Sequence, residues 1–89
     1  MNTIWKFELL TVGSQKIEMP SRSEILCIQV QHGKPCIWAK VLSNAPKVER
    51  YFEIVGTGHA ISISIKRRKY LGTYQLAEGN LVFHVFEVL

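Results

Sequence analysis

Eighty-nine residues, 47% hydrophobic and 20% charged, fit one domain spanning 1–89 and exclude both a second core and a disordered chain. The net charge of +4 favours anionic partners. Outside Lys66-Arg67-Arg68-Lys69, however, seven basic residues meet seven acidic ones, which excludes a dedicated DNA-coating protein.

Strand signals dominate from the first residues. Trp5-Phe7-Leu9 alternates with Lys6-Glu8, the pattern of a half-buried strand. Val12-Gly13-Ser14 breaks it, and Gln15 to Met19 forms a short extended piece ended by Pro20. Leu26-Ile28-Val30 alternates with Cys27-Gln29-Gln31, and a turn at His32-Gly33 leads into Cys36 to Leu42. With a two-residue turn there, Gln31 faces Lys34, Gln29 faces Cys36 and Cys27 faces Trp38. Leu26, Ile28 and Val30 then share the core face with Ile37 and Ala39. Trp38 points to the polar face, where a large aromatic packs under a loop or stacks a ligand.

Ser43-Asn44-Ala45-Pro46 is a turn cluster. Beyond it, Val48-Arg50-Phe52-Ile54 alternates with Glu49-Tyr51-Glu53-Val55, which places Glu49 and Glu53 on a solvated face. The strand runs into Gly56-Thr57-Gly58-His59, a turn in which two glycines allow φ > 0 and close approach of a ligand. The Ile61-Ile63-Ile65 alternation then reads as an edge strand or a projecting hairpin arm. Tyr70 to Leu76 and Leu81 to Leu89 flank Ala77-Glu78-Gly79-Asn80 as a final hairpin, with Thr73 facing His84 and Tyr74 facing Phe83. The whole predicts an all-β fold, a small antiparallel barrel or sandwich of six to seven short strands, with no helix longer than two turns.

Catalytic arrangements are missing. Cys36 and His32 lie four apart without an orienting third group or an oxyanion hole. Cys27 and Cys36 lack metal or redox spacing and read as two reduced thiols. A metal site from His32, His59 and His84 requires a convergence that spacing does not supply. The expectation is therefore a binding protein, not an enzyme, with no cofactor.

The start, Met1-Asn2-Thr3-Ile4-Trp5-Lys6, has no signal-peptide pattern, and no stretch approaches the roughly 18 apolar residues of a membrane helix. A soluble, cytoplasmic protein without membrane contact is expected. At this size the core is marginal, and an apolar Ile61-Ser62-Ile63-Ser64-Ile65 edge adds to the case for a homo-oligomer.

Within fourteen residues lie the glycine turn, His59 and four cations, a grouping suited to phosphate. Gly56, Thr57, Gly58 and His59 are the candidate contacts to phosphate or ribose. Arg67 and Arg68 would neutralise charge, and Trp38 or Tyr70 would stack a base.

Thr3-Ile4-Trp5-Lys6-Phe7-Glu8-Leu9, Ile54-Val55-Gly56-Thr57-Gly58-His59, Tyr70-Leu71-Gly72-Thr73 and Leu81-Val82-Phe83-His84-Val85-Phe86-Glu87 together resemble a family of small tailed-phage and prophage proteins of unknown function. Ile17-Glu18-Met19-Pro20 belongs to the same set. The resemblance implies a phage origin, action in the host cytoplasm and a β-rich domain. By analogy with small phage proteins that sequester nucleotide immune signals, it implies an anti-defence sponge for a cyclic dinucleotide or an ADP-ribose derivative. A protein–protein inhibitor anchored by Ile61, Ile63 and Ile65, and a single-stranded nucleic-acid binder, are the alternatives.

Overall fold

Period-two alternation becomes seven strands: β1 (Asn2–Glu8), β2 (Ser14–Pro20), β3 (Glu24–Gln31), β4 (Lys34–Leu42), β5 (Lys47–Gly56), β6 (Arg68–Leu76) and β7 (Leu81–Val88). The computed structural model describes residues 1–64 and 67–89, and its one helical piece among them is a 3-10 turn at Ala77–Gly79. The strands form two antiparallel sheets, ordered β1-β4-β3 and β2-β5-β7-β6. The fold is all-β, as the alternation predicts, and it is a sandwich rather than a closed barrel. No helix among the described residues is long and apolar enough to cross a membrane.

The core lies between the sheets. Ile37, Ala39 and Val41 of β4 face Phe52 and Ile54 of β5, with Met19, Tyr74 and Val85 around them. Trp5 and Phe7 pack against this cluster, and Leu9 is buried within it. Both anticipated hairpin registers are present: Gln31 opposes Lys34, Cys27 opposes Trp38, Thr73 opposes His84 and Tyr74 opposes Phe83. Both cysteines are free thiols.

Two bulges alter what alternation alone gives. The register of β3 shifts between Ile25 and Cys27, so Ile25 takes the core position opposite Ala39 and Leu26 is left 45% exposed. Val30, expected in the core, is likewise exposed at the end of its strand. In β6 the shift falls between Tyr70 and Gly72. The sheets meet along β3 and β6 at Gly72, where an added Cβ would stand 3.0 Å from Ile28 Cγ1.

One buried charge pair ties the sheets together. Arg50 and Glu87 occupy inward positions of β5 and β7. Arg50 Nε donates to Glu87 Oε2 at 2.6 Å and Nη2 donates to Oε1 at 2.7 Å. Its Nη1 donates to the Ser23 carbonyl at 2.6 Å. The guanidinium thus grips the turn that carries the chain from the larger sheet into the smaller one.

Two predictions follow from this core. Glu87→Ala leaves Arg50 buried without its carboxylate and should cost about 3–5 kcal/mol in chemical denaturation. Arg50→Met with Glu87→Leu should be less destabilising than that single change, because no charge is stranded. Burial raises the Tyr74 pKa above its ordinary 10.0, partly countered by the hydrogen bond to Thr11. The folded state therefore holds that proton more tightly than the unfolded chain. Stability is fully present below pH 10 and falls as pH rises from there through the folded pKa. Tyr74→Phe should flatten this alkaline loss in denaturation curves measured across that range.

Candidate functional site

β5 and β6 run in the same direction with β7 between them, so residues 57–67 must carry the chain back across the sheet. Of this connection, Thr57, Ile61 and Ser62 lie over the sheet's outer face. That face presents Glu53 and Val55 from β5, His84 and Phe86 from β7, and Arg68, Tyr70 and Thr73 from β6.

The start of the crossing is held at Thr57. Its N–H donates to the Val82 carbonyl at 3.1 Å, and its hydroxyl lies 2.7 Å from His84 Nε2. The other ring nitrogen, Nδ1, is 3.0 Å from Thr73 Oγ1, which in turn bonds the Tyr70 hydroxyl. One proton arrangement satisfies the whole chain: Tyr70 donates to Thr73, Thr73 to Nδ1, Nε2–H to Thr57, and Thr57 to the Val82 carbonyl at 3.4 Å. The β6 bulge makes this possible. Residues 70 and 73 fall on opposite faces of a regular strand, but the extra residue puts both on the outer face.

The far end of the crossing is held by Arg68. Its Nε donates to Glu53 Oε1 at 3.0 Å and its Nη2 donates to the Ser62 carbonyl at 3.0 Å. The guanidinium also lies 5.8 Å from the centre of the Phe86 ring. Glu53, expected in solvent, is only 5% exposed because the crossing segment and Arg68 cover it. Glu49, by contrast, is exposed and pairs with Lys16.

Between these anchors His59 divides a groove in two. One lobe, about 180 Å³, is walled by Val55, Thr57, Ile61, His84 and Phe86. The other, about 350 Å³, is reached past Gly13 and Ser14 and includes Glu53 and Ser62. Gly56 serves this arrangement differently from what its turn context implies. It does not take a positive φ; Gly58 does, at 84°. Gly56 instead makes room for the imidazole, since a Cβ there would stand 2.9 Å from His59 Nδ1.

The sequence candidates are thus partly assembled. Thr57, Arg68 and Tyr70 sit on the outer face of the larger sheet with Gly58 and His59 at its rim, whereas Gly56 occupies an inward position at the strand end. Two backbone donors of the turn are used internally, Thr57 N–H by Val82 and His59 N–H by the Gly56 carbonyl. Arg68 is held by Glu53 and Ser62. Arg67 is exposed, with its carbonyl accepting from Leu89 N–H. In register, Gly56 sits opposite Phe83 and Arg68 opposite Val88, so about 17 Å of extended strand separates the glycine turn from the basic end. Trp38 lies elsewhere, on the outer face of the smaller sheet opposite Lys6 and Cys27. Its Nε1 is buried with no hydrogen-bond partner among the described residues.

Residues 61–64 form no strand, so the edge reading of that segment is corrected for its described part, and Ile63 is 96% exposed. Ile65 and Lys66 lie outside the described residues. No group of three or more His, Cys, Asp or Glu side chains able to hold a metal is present among the described residues. Reasoning from sequence missed Phe86 and Thr73 as parts of the site, and Glu53 as the partner of Arg68. The anticipated pairing of Thr73 with His84 was the signal that pointed here.

The chain belongs to the family described as a domain of unknown function (DUF7352), whose profile matches residues 1–89. No curated protein and no solved structure matches it.

Two substitutions probe the groove. Thr57→Val removes the hydroxyl between His84 and Val82 and should cost about 1 kcal/mol, with faster amide exchange confined to residues near 57–61. Gly56→Ala should displace the His59 ring with little loss of stability, read from the imidazole proton shifts.

Proposed function

We propose that this member of the family is a non-enzymatic binding protein for a nucleotide-type small molecule, held along the segment that crosses the larger sheet. The observation that carries the reading is the two-lobed groove around His59. Its smaller lobe is walled by Val55, Ile61, Phe86 and two imidazoles, a setting for a heteroaromatic ring. Its larger lobe offers Ser14, Ser62 and His59 to ribose or phosphate oxygens.

Arg68 bonds Glu53 and Ser62 in the wall of the larger lobe, which puts the basic end of β6 beside that lobe and about 17 Å of strand from the glycine turn. A mononucleotide in the smaller lobe stops short of this basic end, whereas a molecule of two nucleoside-sized units spans both lobes toward it. Cyclic dinucleotides and ADP-ribose derivatives are ligands of that length. The phage resemblance extends the proposal to sequestration of such a molecule as a host immune signal.

The test is calorimetric titration with cyclic dinucleotides, ADP-ribose derivatives and short oligonucleotides. Binding of one of the first two classes should weaken about tenfold or more in His59→Ala and in Arg67→Ala, with the melting temperature of each nearly unchanged. Arg68→Ala is unsuitable for this purpose, because it also strands Glu53. Failure of every nucleotide to bind overturns the reading, and binding of oligonucleotides alone moves it to single-stranded nucleic acid.

Ile63 favours a second element of the reading. Its β-branched apolar side chain is 96% exposed and Ile61, two residues before it, is 46% exposed, a pair that another protein surface would cover. A second copy of this chain is the proposed partner. Light scattering at micromolar concentration should give a mass above 10.2 kDa that falls toward the monomer in Ile63→Ser. A monomeric mass for the unaltered protein excludes the homo-oligomer.

A further inference from the structure

A second concavity, about 610 Å³, lies at the other end of the molecule, between the β2–β3 turn and the β4–β5 turn. It shares none of its residues with the groove around His59. Its most telling residue is Arg22. Pro20-Ser21-Arg22-Ser23 is a reverse turn closed by Ser23 N–H donating to the Pro20 carbonyl at 3.3 Å. Arg22 takes φ 62° and Ser21 does not take a positive φ, the pattern of a type II turn, whose third position favours glycine. An arginine is disfavoured there and persists only because the surroundings dictate the conformation.

Those surroundings are visible. Ser23 Oγ donates to the Pro20 carbonyl at 2.6 Å, Ser21 N–H donates to the Pro46 carbonyl at 2.7 Å, and Arg50 holds the Ser23 carbonyl. The opposite wall is fixed as well. Ser43 N–H donates to the Met1 carbonyl at 3.0 Å, and Ala45 N–H donates to the Leu42 carbonyl at 3.0 Å. Arg22 is therefore presented at the tip of a rigid turn, into a cleft with rigid walls.

The cleft holds a second cation, Lys40, across from Glu24 on β3. Although Glu24 is its cross-strand partner, Lys40 has no carboxylate within 4.0 Å among the described residues, and neither has Arg22. Asn2 and Asn44 add amide donors and acceptors, and no aromatic side chain lines the cleft. The lining suits a small molecule with a phosphate for the two cations and hydroxyls for the amides and Glu24. It has nothing on which to stack a base.

We propose that this cleft is a binding site for a phosphorylated sugar, with Arg22 and Lys40 on the phosphate. The glycine-favouring backbone at Arg22 supplies a test that separates binding from architecture. Arg22→Gly relieves the turn, so its melting temperature should stay level or rise, while affinity for ribose 5-phosphate falls about tenfold or more. Lys40→Gln should weaken binding with no effect on the turn. Amide shifts on titration should fall on residues 20–24 and 40–46, and inorganic phosphate and AMP should bind more weakly than ribose 5-phosphate.

Several results overturn the proposal. They are an absence of binding by ribose 5-phosphate at millimolar concentration, shifts confined to residues 56–61, or unchanged affinity in both variants. Inorganic phosphate binding as tightly as the sugar phosphate overturns the assignment of the hydroxyl-binding half. This site and the nucleotide reading fail independently, because they rest on different residues and different probes.

Discussion

The Arg50–Glu87 pair is the constraint on which the rest of the molecule depends. Opposite charges placed at inward positions of neighbouring strands can be satisfied in only one alignment. A slip of one residue would turn both side chains, and the whole apolar set of their strands, to the other face. Buried pairs of this kind add little net stability compared with well-packed apolar groups, but a misaligned one is severely penalised. The pair therefore acts mainly as a selector of register. By donating also to Ser23, the guanidinium extends that selection to the turn between the sheets, and so to the angle at which the smaller sheet arrives.

Sheet β2-β5-β7-β6 carries a comparable device on its outer face. Arg68 and Glu53 are joined there, with Ser62 as the third participant, just as Ser23 is for Arg50. Each arginine couples a carboxylate on another strand of the sheet to a carbonyl in a connecting segment. The inner pair positions the short turn between the sheets, and the outer pair positions the long crossing on the opposite face of the same sheet. Both concave regions of the surface are thus shaped by an arginine that does not line them, which leaves Arg22 and Lys40 as the cations lining the cleft between the turns and Arg67 exposed beside Arg68.

Much of the fold was legible because alternation and turn chemistry are local signals. The hairpins at His32-Gly33 and around Glu78-Gly79 pair as their sequences dictate, down to Cys27 with Trp38 and Thr73 with His84. The two bulges were not legible, since nothing in Ile25-Leu26-Cys27 or Tyr70-Leu71-Gly72 distinguishes an extra residue from a regular one. Their effects were large: Leu26 left the core, and Tyr70 joined Thr73 on one face. The site was read only in part for a related reason. Gly56 and His59 were singled out for a turn, whereas their relation is steric, a missing Cβ beneath a ring. Arg50 and Glu87 did carry a signal, a charge at a core-face position on each of two strands, and pairing them needed only the assumption that the alternation was uninterrupted.

The placement of β7 sets the order in which this domain can come into being. The four-stranded sheet has its central seam filled by the segment that follows all others in the chain, and the two strands it joins have no hydrogen bonds to each other. Until residues 81–88 are present, β6 has no sheet partner, the Tyr70–His84 network has no centre, and Arg50 has no carboxylate. The first nine-tenths of the sequence can thus form local hairpins but not the domain. Assembly waits on a late, non-local insertion, the kind of step that makes β proteins slow to fold and strongly cooperative.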